Sequence, residues 1–265
     1  MDDMEYLPKV IDEKITTCGR NSGSSLFPPR DWTVMNKISE HPVPVDIEDF
    51  EDGRGPAFTS GRYLCRFAGA GGKFMHAFMR IEKQIPLAGT TFERPSVRQQ
   101  QASQPPDNVE LQALKHFTEE KGTAAPKLLG YLIDKQDAND LVPGGYIIYL
   151  VWEKVRGVPL DPEKFWSCRR DQRNLIRENF RKAYKEIMSA GYDLVLPTSK
   201  NIIINWATND VTISGFRGAV RTDPDEEWDD RDFGSFCLVQ TSSWCKKYVP
   251  IKAEDVQDDE NGWRW

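Results

Sequence analysis

Hydrophobic residues recur at helical spacing most clearly between Arg173 and Ala190. There Leu175, Ile176, Phe180, Ala183, Ile187 and Met188 form a stripe opposite arginines and lysines. The pattern predicts a core-facing helix, and Gly191 stops it. From Tyr146 to Val155 the run YIIYLVWEKV is apolar on both faces and predicts a central buried strand, broken by Arg156-Gly157-Val158-Pro159. Ile202-Ile203-Ile204 and Val211-Thr212-Ile213, joined by Ala207-Thr208-Asn209-Asp210, predict a hairpin. Strands are also expected at Gly61–Phe67, Lys73–Ile81 and Lys127–Ile133, and a helix is expected after an Asp107 or Asn108 cap, with Leu111, Leu114 and Phe117 on one side.

Elsewhere the pattern weakens. Residues 6–15 read as a short helix, Trp32–Ile38 as a first strand or helix turn, and Pro42–Asp46 as extended chain. The acidic run from Ile47 to Pro56 reads as solvated loop. Residues 86–106 contain three prolines, a Gln99-Gln100-Gln101 patch and no apolar period, which predicts a long mobile loop. Gly234 to Val239 is expected to form a short final helix.

The segments FPPRDWTV, HAFMRIEKQIP, NVELQALKHF and GYIIYLVWEKVRGVPL, followed by the helix-loop-hairpin from Met188 to Ala219, stand in an order that resembles a known group. They are similar to the kinase-like proteins abundant in filamentous fungi, related to protein kinases and aminoglycoside phosphotransferases. The resemblance covers roughly Pro28 to Leu238. It implies an α+β, two-lobed protein-kinase-like fold, with a small antiparallel-sheet lobe and a shortened, mostly helical lobe. The implied division is an N-terminal extension (1–27), an N-lobe-like part (28–155, with the 86–106 loop), a C-lobe-like part (156–245) and an acidic, Trp-bearing tail (246–265).

The same resemblance implies a degenerate site. In H-R-D-L-x-x-x-N the base stands five residues before the asparagine. Counting back from Asn201 gives Leu196, which cannot accept a proton. The slot for the metal-binding D-F-G acid holds Gly215, or Ser214 in the neighbouring register, and neither offers the anionic oxygen that magnesium needs. Arg80 takes the position of the phosphate-contacting lysine, with Lys83 the competing assignment, and Glu110 is its candidate ion-pair partner. Arg80, Glu110 and Asn201 are thus the remnants of a nucleotide site, and the implied protein is a pseudokinase that binds another protein as a scaffold or regulatory subunit. The alternative is a divergent phosphotransferase or nucleotide-binding protein with relocated carboxylates, Asp193 as base and Asp210 or Asp232 for metal. A literal Asp232-Phe233-Gly234 lies 31 residues past Asn201 with no strand before it, and is read as a chance occurrence. Backbone recognition of adenine leaves no side-chain mark, so ATP is neither claimed nor excluded; no other cofactor and no metal is expected.

Composition changes this picture little. A net charge of −6 over 265 residues, with no long basic run, gives no general attraction to nucleic acid or anionic lipid. Ala68-Gly69-Ala70-Gly71-Gly72 lacks phosphate-loop spacing and reads as a hairpin turn. The acidic residues between 223 and 230 read as solvated. Five scattered cysteines (18, 65, 168, 237, 245) show no zinc spacing and fit reduced thiols. The start of the chain is acidic without an apolar h-region, and no run of about 18 apolar residues occurs, so the expected address is intracellular, cytoplasm or nucleus.

Overall fold

A computed structural model describes residues 5–9, 14–17, 26–69, 74–240, 259 and 262–265. The chain is mixed α and β, and its contacts divide it into two compact units. Unit 1 joins Met1–Asn108 to Leu128–Lys154, and unit 2 joins Val109–Lys127 to Val155–Trp265. Residues 109–127, expected within the 28–155 part, therefore group with unit 2.

Unit 1 is built on six antiparallel strands: β1 (Lys14–Thr17), β2 (Arg30–Val43), β3 (Phe58–Ala68), β4 (Phe74–Gln84), β5 (Leu128–Lys135) and β6 (Tyr146–Glu153). They are ordered β1-β2-β3-β4-β6-β5. Strand alternation sends Trp32, Val34, Tyr63, Cys65, Ala77, Met79, Ile81 and Val151 to one side, where they form a buried cluster. The sheet curls until its two edges meet. Thr17 of β1 lies against Gly130 of β5, where any side chain would collide with the threonine hydroxyl. Trp32 Nε1 donates to the same hydroxyl at 2.8 Å, and Arg30 Nη1 donates to the Leu129 carbonyl at 3.4 Å.

Parts of the segment expected as an N-terminal extension pack with this sheet. Lys14 and Ile15, expected at the end of a 6–15 helix, lie in the strand Lys14–Thr17, residues 10–13 of that expected helix lie outside the described residues, and Leu7 joins the core cluster. Residues 6–9 run beside the second half of β2, whose backbone needs a partner. Lys37 N donates to the Lys9 carbonyl at 3.1 Å, and Tyr6 N donates to Glu40 Oε1 at 2.9 Å. Lys37 Nζ binds Glu40 at 2.8 Å, both side chains being nearly enclosed. Burial alone would raise the Glu40 pKa, but bonds from Lys37, Thr59 and the Tyr6 amide outweigh it and hold the carboxyl below its ordinary 4.5. A depressed carboxylate adds stability above its unfolded pKa and loses it as pH falls through the folded value. Thermal unfolding of the native chain is therefore expected to weaken with acid below about pH 4.5 more steeply than that of Glu40→Gln. Parallel curves for the two proteins would refute this.

Two further segments differ from the sequence reading. Within the acidic run, Ile47–Glu51 forms a helix, α1, because Asp46 caps it by accepting from Asp49 N at 2.8 Å. The 86–106 segment carries a second short helix, α2 (Pro95–Gln99), and is bound down by glutamines. Gln84 Nε2 donates to the Gln101 carbonyl at 2.7 Å, Ser103 N donates to Gln84 Oε1 at 3.0 Å, and Leu87 N donates to Gln101 Oε1 at 3.0 Å. Arg98 donates to the carbonyls of Asp140 and Leu141. Side-chain amides that offer both donor and acceptor replace the missing apolar pattern. Gly71 and Gly72, in the expected turn between β3 and β4, lie outside the described residues.

Unit 2 contains α3 (Val109–Glu119), α4 (Pro162–Ser167), α5 (Arg170–Ser189) and α6 (Arg231–Ser235). Its short strands are β7 (Val158–Pro159), β8 (Tyr192–Leu194), β9 (Ile202–Asn205), β10 (Asp210–Ile213) and β11 (Ala219–Arg221). They form one sheet ordered β10-β9-β7 and one β11-β8 pair. Phe180 of α5 is fully buried among Tyr184, Trp228, Phe233 and Phe236, with ring centroids 4.7 to 6.0 Å away. The final helix lies earlier than expected, since α6 ends at Ser235. Trp265 packs on Phe233, its ring centroid 5.8 Å away, and on the Arg177 guanidinium at 5.5 Å; Gln240 and Arg264 form a β-bridge. Among the described residues no helix is long and apolar enough to cross a membrane.

Candidate functional site

The hairpin of unit 2 has the strands and turn expected, with Asp210 opposite Asn205 and Ile213 opposite Ile202. The chain enters it from α5 through β8, and a single 3-10 turn at Ser199–Asn201 leads into β9. After β10 it leaves through Ser214 and Gly215 into a second 3-10 turn, then β11, which pairs back onto β8. The loop before the hairpin and the segment after it are thereby neighbours, although 13 residues separate Asn201 from Ser214.

Asn201 ties the two together. Its Oδ1 accepts from Thr198 N at 2.8 Å and from Thr198 Oγ1 at 3.2 Å, and its Nδ2 donates to the Ser214 carbonyl at 3.0 Å. Ser214 N and Oγ both donate to the Asn201 carbonyl, at 2.7 and 3.2 Å. The amide nitrogen of Asn201 stands where a side chain on residue 215 would begin. Gly215 also has φ +91°, a conformation that glycine adopts without strain. The space that a side chain at residue 215 would need is therefore taken by an asparagine engaged in hydrogen bonds within the chain.

Leu196, the residue expected at the base position, is 88% exposed with φ +52°, in the left-handed region that costs a leucine conformational energy. Val195 beside it and Val220 on β11 are also exposed.

The three carboxylates of the alternative reading, Asp193, Asp210 and Asp232, separate into two places. Asp193 and Asp232 line one cavity of about 250 Å³, together with Tyr184, Glu226, Asp229 and Arg231. Asp193 Oδ1 is occupied, accepting from the Tyr184 hydroxyl and from Leu194 N at 2.7 Å. Burial, then this carboxylate, hold the Tyr184 phenol above its ordinary pKa. Asp232 is held above the usual carboxylate range, first by burial and then by the negative charges of Asp193, Asp229 and Glu226, against one hydrogen bond from Asp229 N. Asp210 is elsewhere, at the start of β10, accepting from Thr208 Oγ1 at 2.6 Å. Among the described residues no group of three or more His, Cys, Asp or Glu is placed to hold a metal. Asp232-Phe233-Gly234 lies within α6, not after a strand, and Phe233 is buried in the aromatic cluster. Most of the acidic residues from 223 to 230 are exposed.

In unit 1, Arg80 is buried on β4, donating from Nη1 to Ser60 Oγ at 3.2 Å and lying over the Trp152 ring at 5.5 Å. Lys83 forms an ion pair with Asp140. Glu110 is buried in the first turn of α3, in unit 2.

The sequence reading missed two arginines. Arg173 and Arg177 of α5 are buried, and Arg177 packs on Phe165, Trp166 and Trp265 while Nε donates to the Leu238 carbonyl at 2.9 Å. Burial, and the neighbouring Arg173 and Arg170, push the Arg177 pKa down to about 9. The signal was present in the spacing: residues 173, 177, 180 and 184 share one helical face. Leu175 falls off that face and is 42% exposed.

No family model matches the chain, and no curated protein does. Among solved structures, the PK-1 kinase of Cydia pomonella granulovirus is similar, at 12% sequence identity and a TM-score of 0.41, over 72% of this chain and 52% of that one. The chain spans about half the length of that kinase.

Proposed function

We propose that this chain is a kinase-like protein of the fungal group it resembles, without phosphoryl transfer, and that it acts inside the cell by binding another protein as a scaffold or regulatory subunit. The observation that carries this reading is the use of Asn201. In an active kinase the corresponding asparagine holds magnesium; here both ends of its amide are bound within the chain, and its nitrogen fills the place of an acid at 215. Leucine at 196 supports the same reading, since loss of a general base alone removes about 10²- to 10⁴-fold in rate. A strained, exposed leucine next to the exposed Val195 also suits contact with a partner.

A second reading has one observation in its favour, the shared cavity of Asp193 and Asp232. Thermal unfolding with ATP, with and without magnesium, separates the two. The expected result is no magnesium-dependent rise in the midpoint. A rise abolished by Asp193→Ala or Asp232→Ala would replace the first reading with a divergent phosphotransferase. Affinity purification of the tagged chain is expected to recover a stoichiometric protein, and recovery of none would count against the scaffold role.

A further inference from the structure

The outward face of the β8-β11 pair presents apolar side chains that the core does not use. Alternation turns Tyr192, Leu194 and Ala219 inward, where all three are buried, and turns Asp193, Val195 and Val220 to the other side. Val195 is 52% exposed and Val220 39%, and the strained Leu196 comes next in the chain. Register sets Val220 directly across from Asp193, so these apolar residues border the cavity of about 250 Å³ that Asp193 lines. Glu226, Glu227, Asp229 and Asp232 line it as well. Two cations stand among these acids: Arg231, paired with Asp229 at 2.7 Å, and Lys185, which lines an adjoining cavity with Glu226 and Glu227. Among the described residues neither Asp193 nor Asp232 has an ion-pair partner. At the other end of the face the cations are Lys200, beyond Leu196 in the chain, and Arg217, next to the Gly218 whose carbonyl accepts from Val195 N at 2.8 Å. The face thus runs from acidic at Asp193 to apolar, then basic, past Leu196.

We infer that this face docks a segment of a partner protein in which basic side chains precede apolar ones, the basic groups meeting the carboxylates of the cavity and the apolar ones covering Val195, Leu196 and Val220. The inference rests on the reading of this chain as a protein that binds another protein, and adds the chemistry of the partner. Both halves of the face cost the free chain stability. Leu196 holds an unfavourable backbone conformation and leaves apolar surface in water, while the gathered carboxylates repel one another. Burial first, and then that repulsion, hold Asp232 above the ordinary carboxylate range. A segment with a cation at one end and apolar side chains at the other relieves both costs at once. A metal ion would relieve only the carboxylates, and among the described residues no group of three or more is placed to hold one. A purely apolar ligand would leave the charges as they are.

Fluorescence anisotropy with the full chain and a labelled peptide of two arginines followed by two leucines, set in a glycine-serine frame, tests it. Saturable binding is expected at low salt, and the same peptide with glutamates in place of the arginines should bind at least about tenfold more weakly. Leu196→Asn is expected to weaken binding about tenfold by removing apolar contact, and Asp232→Asn about threefold by removing one charge. Both variants should keep or exceed the native thermal midpoint, because asparagine tolerates the left-handed backbone at 196 and a neutral side chain at 232 ends a repulsion. Glu48→Gln, which removes an exposed acid of α1 in unit 1, should leave the affinity unchanged. Absence of binding, equal binding of the glutamate peptide, insensitivity to both unit 2 substitutions, or a comparable loss in Glu48→Gln would each overturn the inference. The scaffold reading is judged apart from it. Recovery of a stoichiometric protein equally by the native chain and by Leu196→Asn and Asp232→Asn would keep that reading and remove this docking face, whereas peptide binding with the expected losses and no recovered protein would do the reverse.

Discussion

Phe180→Ala is expected to cost about 3–5 kcal/mol, the range for removing a fully buried phenylalanine. The ring has no exposed surface and touches four other aromatic side chains drawn from α5, α6 and the segment around Trp228. Those rings cannot collapse into the space without losing their own edge-to-face contacts. The expected fall in the unfolding midpoint of unit 2 is on the order of 10 °C. Leu175→Ala, on the opposite side of the same helix, should change stability by less than about 1 kcal/mol. Calorimetry of both variants decides, and comparable losses would contradict the burial of this helix face.

Gly215→Asp, which puts an acid where the proposed reading places a lost metal ligand, is expected to destabilise the chain by about 1–3 kcal/mol and to create no magnesium-dependent nucleotide binding. The cost has two parts. A side chain at φ +91° adopts a conformation that L residues avoid, and its Cβ displaces the amide of Asn201 from the Ser214 carbonyl. Adding Asn201→Ala removes the obstructing nitrogen and should recover part of the loss, leaving the backbone strain. Equilibrium unfolding gives the stability order. Titration of nucleotide with and without magnesium gives the function, and a metal-dependent gain in Gly215→Asp would show that the pocket is open.

The regions legible in the sequence were those with one strong period. Helix α5, strand β6 and the β9-β10 hairpin follow directly from apolar spacing, because an amphipathic helix or a doubly buried strand must repeat its apolar residues to bury them. Polar side chains used inside the structure were misread. Arg173 and Arg177 were placed with the solvated residues on account of charge, although their spacing put them on the buried face. The glutamines of the 86–106 segment gave no periodic signal, yet Gln101 and Gln84 hold that segment through paired donors and acceptors.

The candidate site divides along the same line. That residue 196 is a leucine and residue 215 a glycine is read directly from the sequence. That Asn201 spends its amide on Thr198 and Ser214, and so fills the space beside Gly215, depends on bringing together residues 13 apart around a hairpin. The meeting of Asp193 with Asp232, the incorporation of Leu7 into the sheet core and the alignment of Val220 with Asp193 likewise belong to long-range pairing. Residue order alone determines which groups are available and their local period; only the folded chain decides which of them face one another, because strand register and sheet closure set those distances.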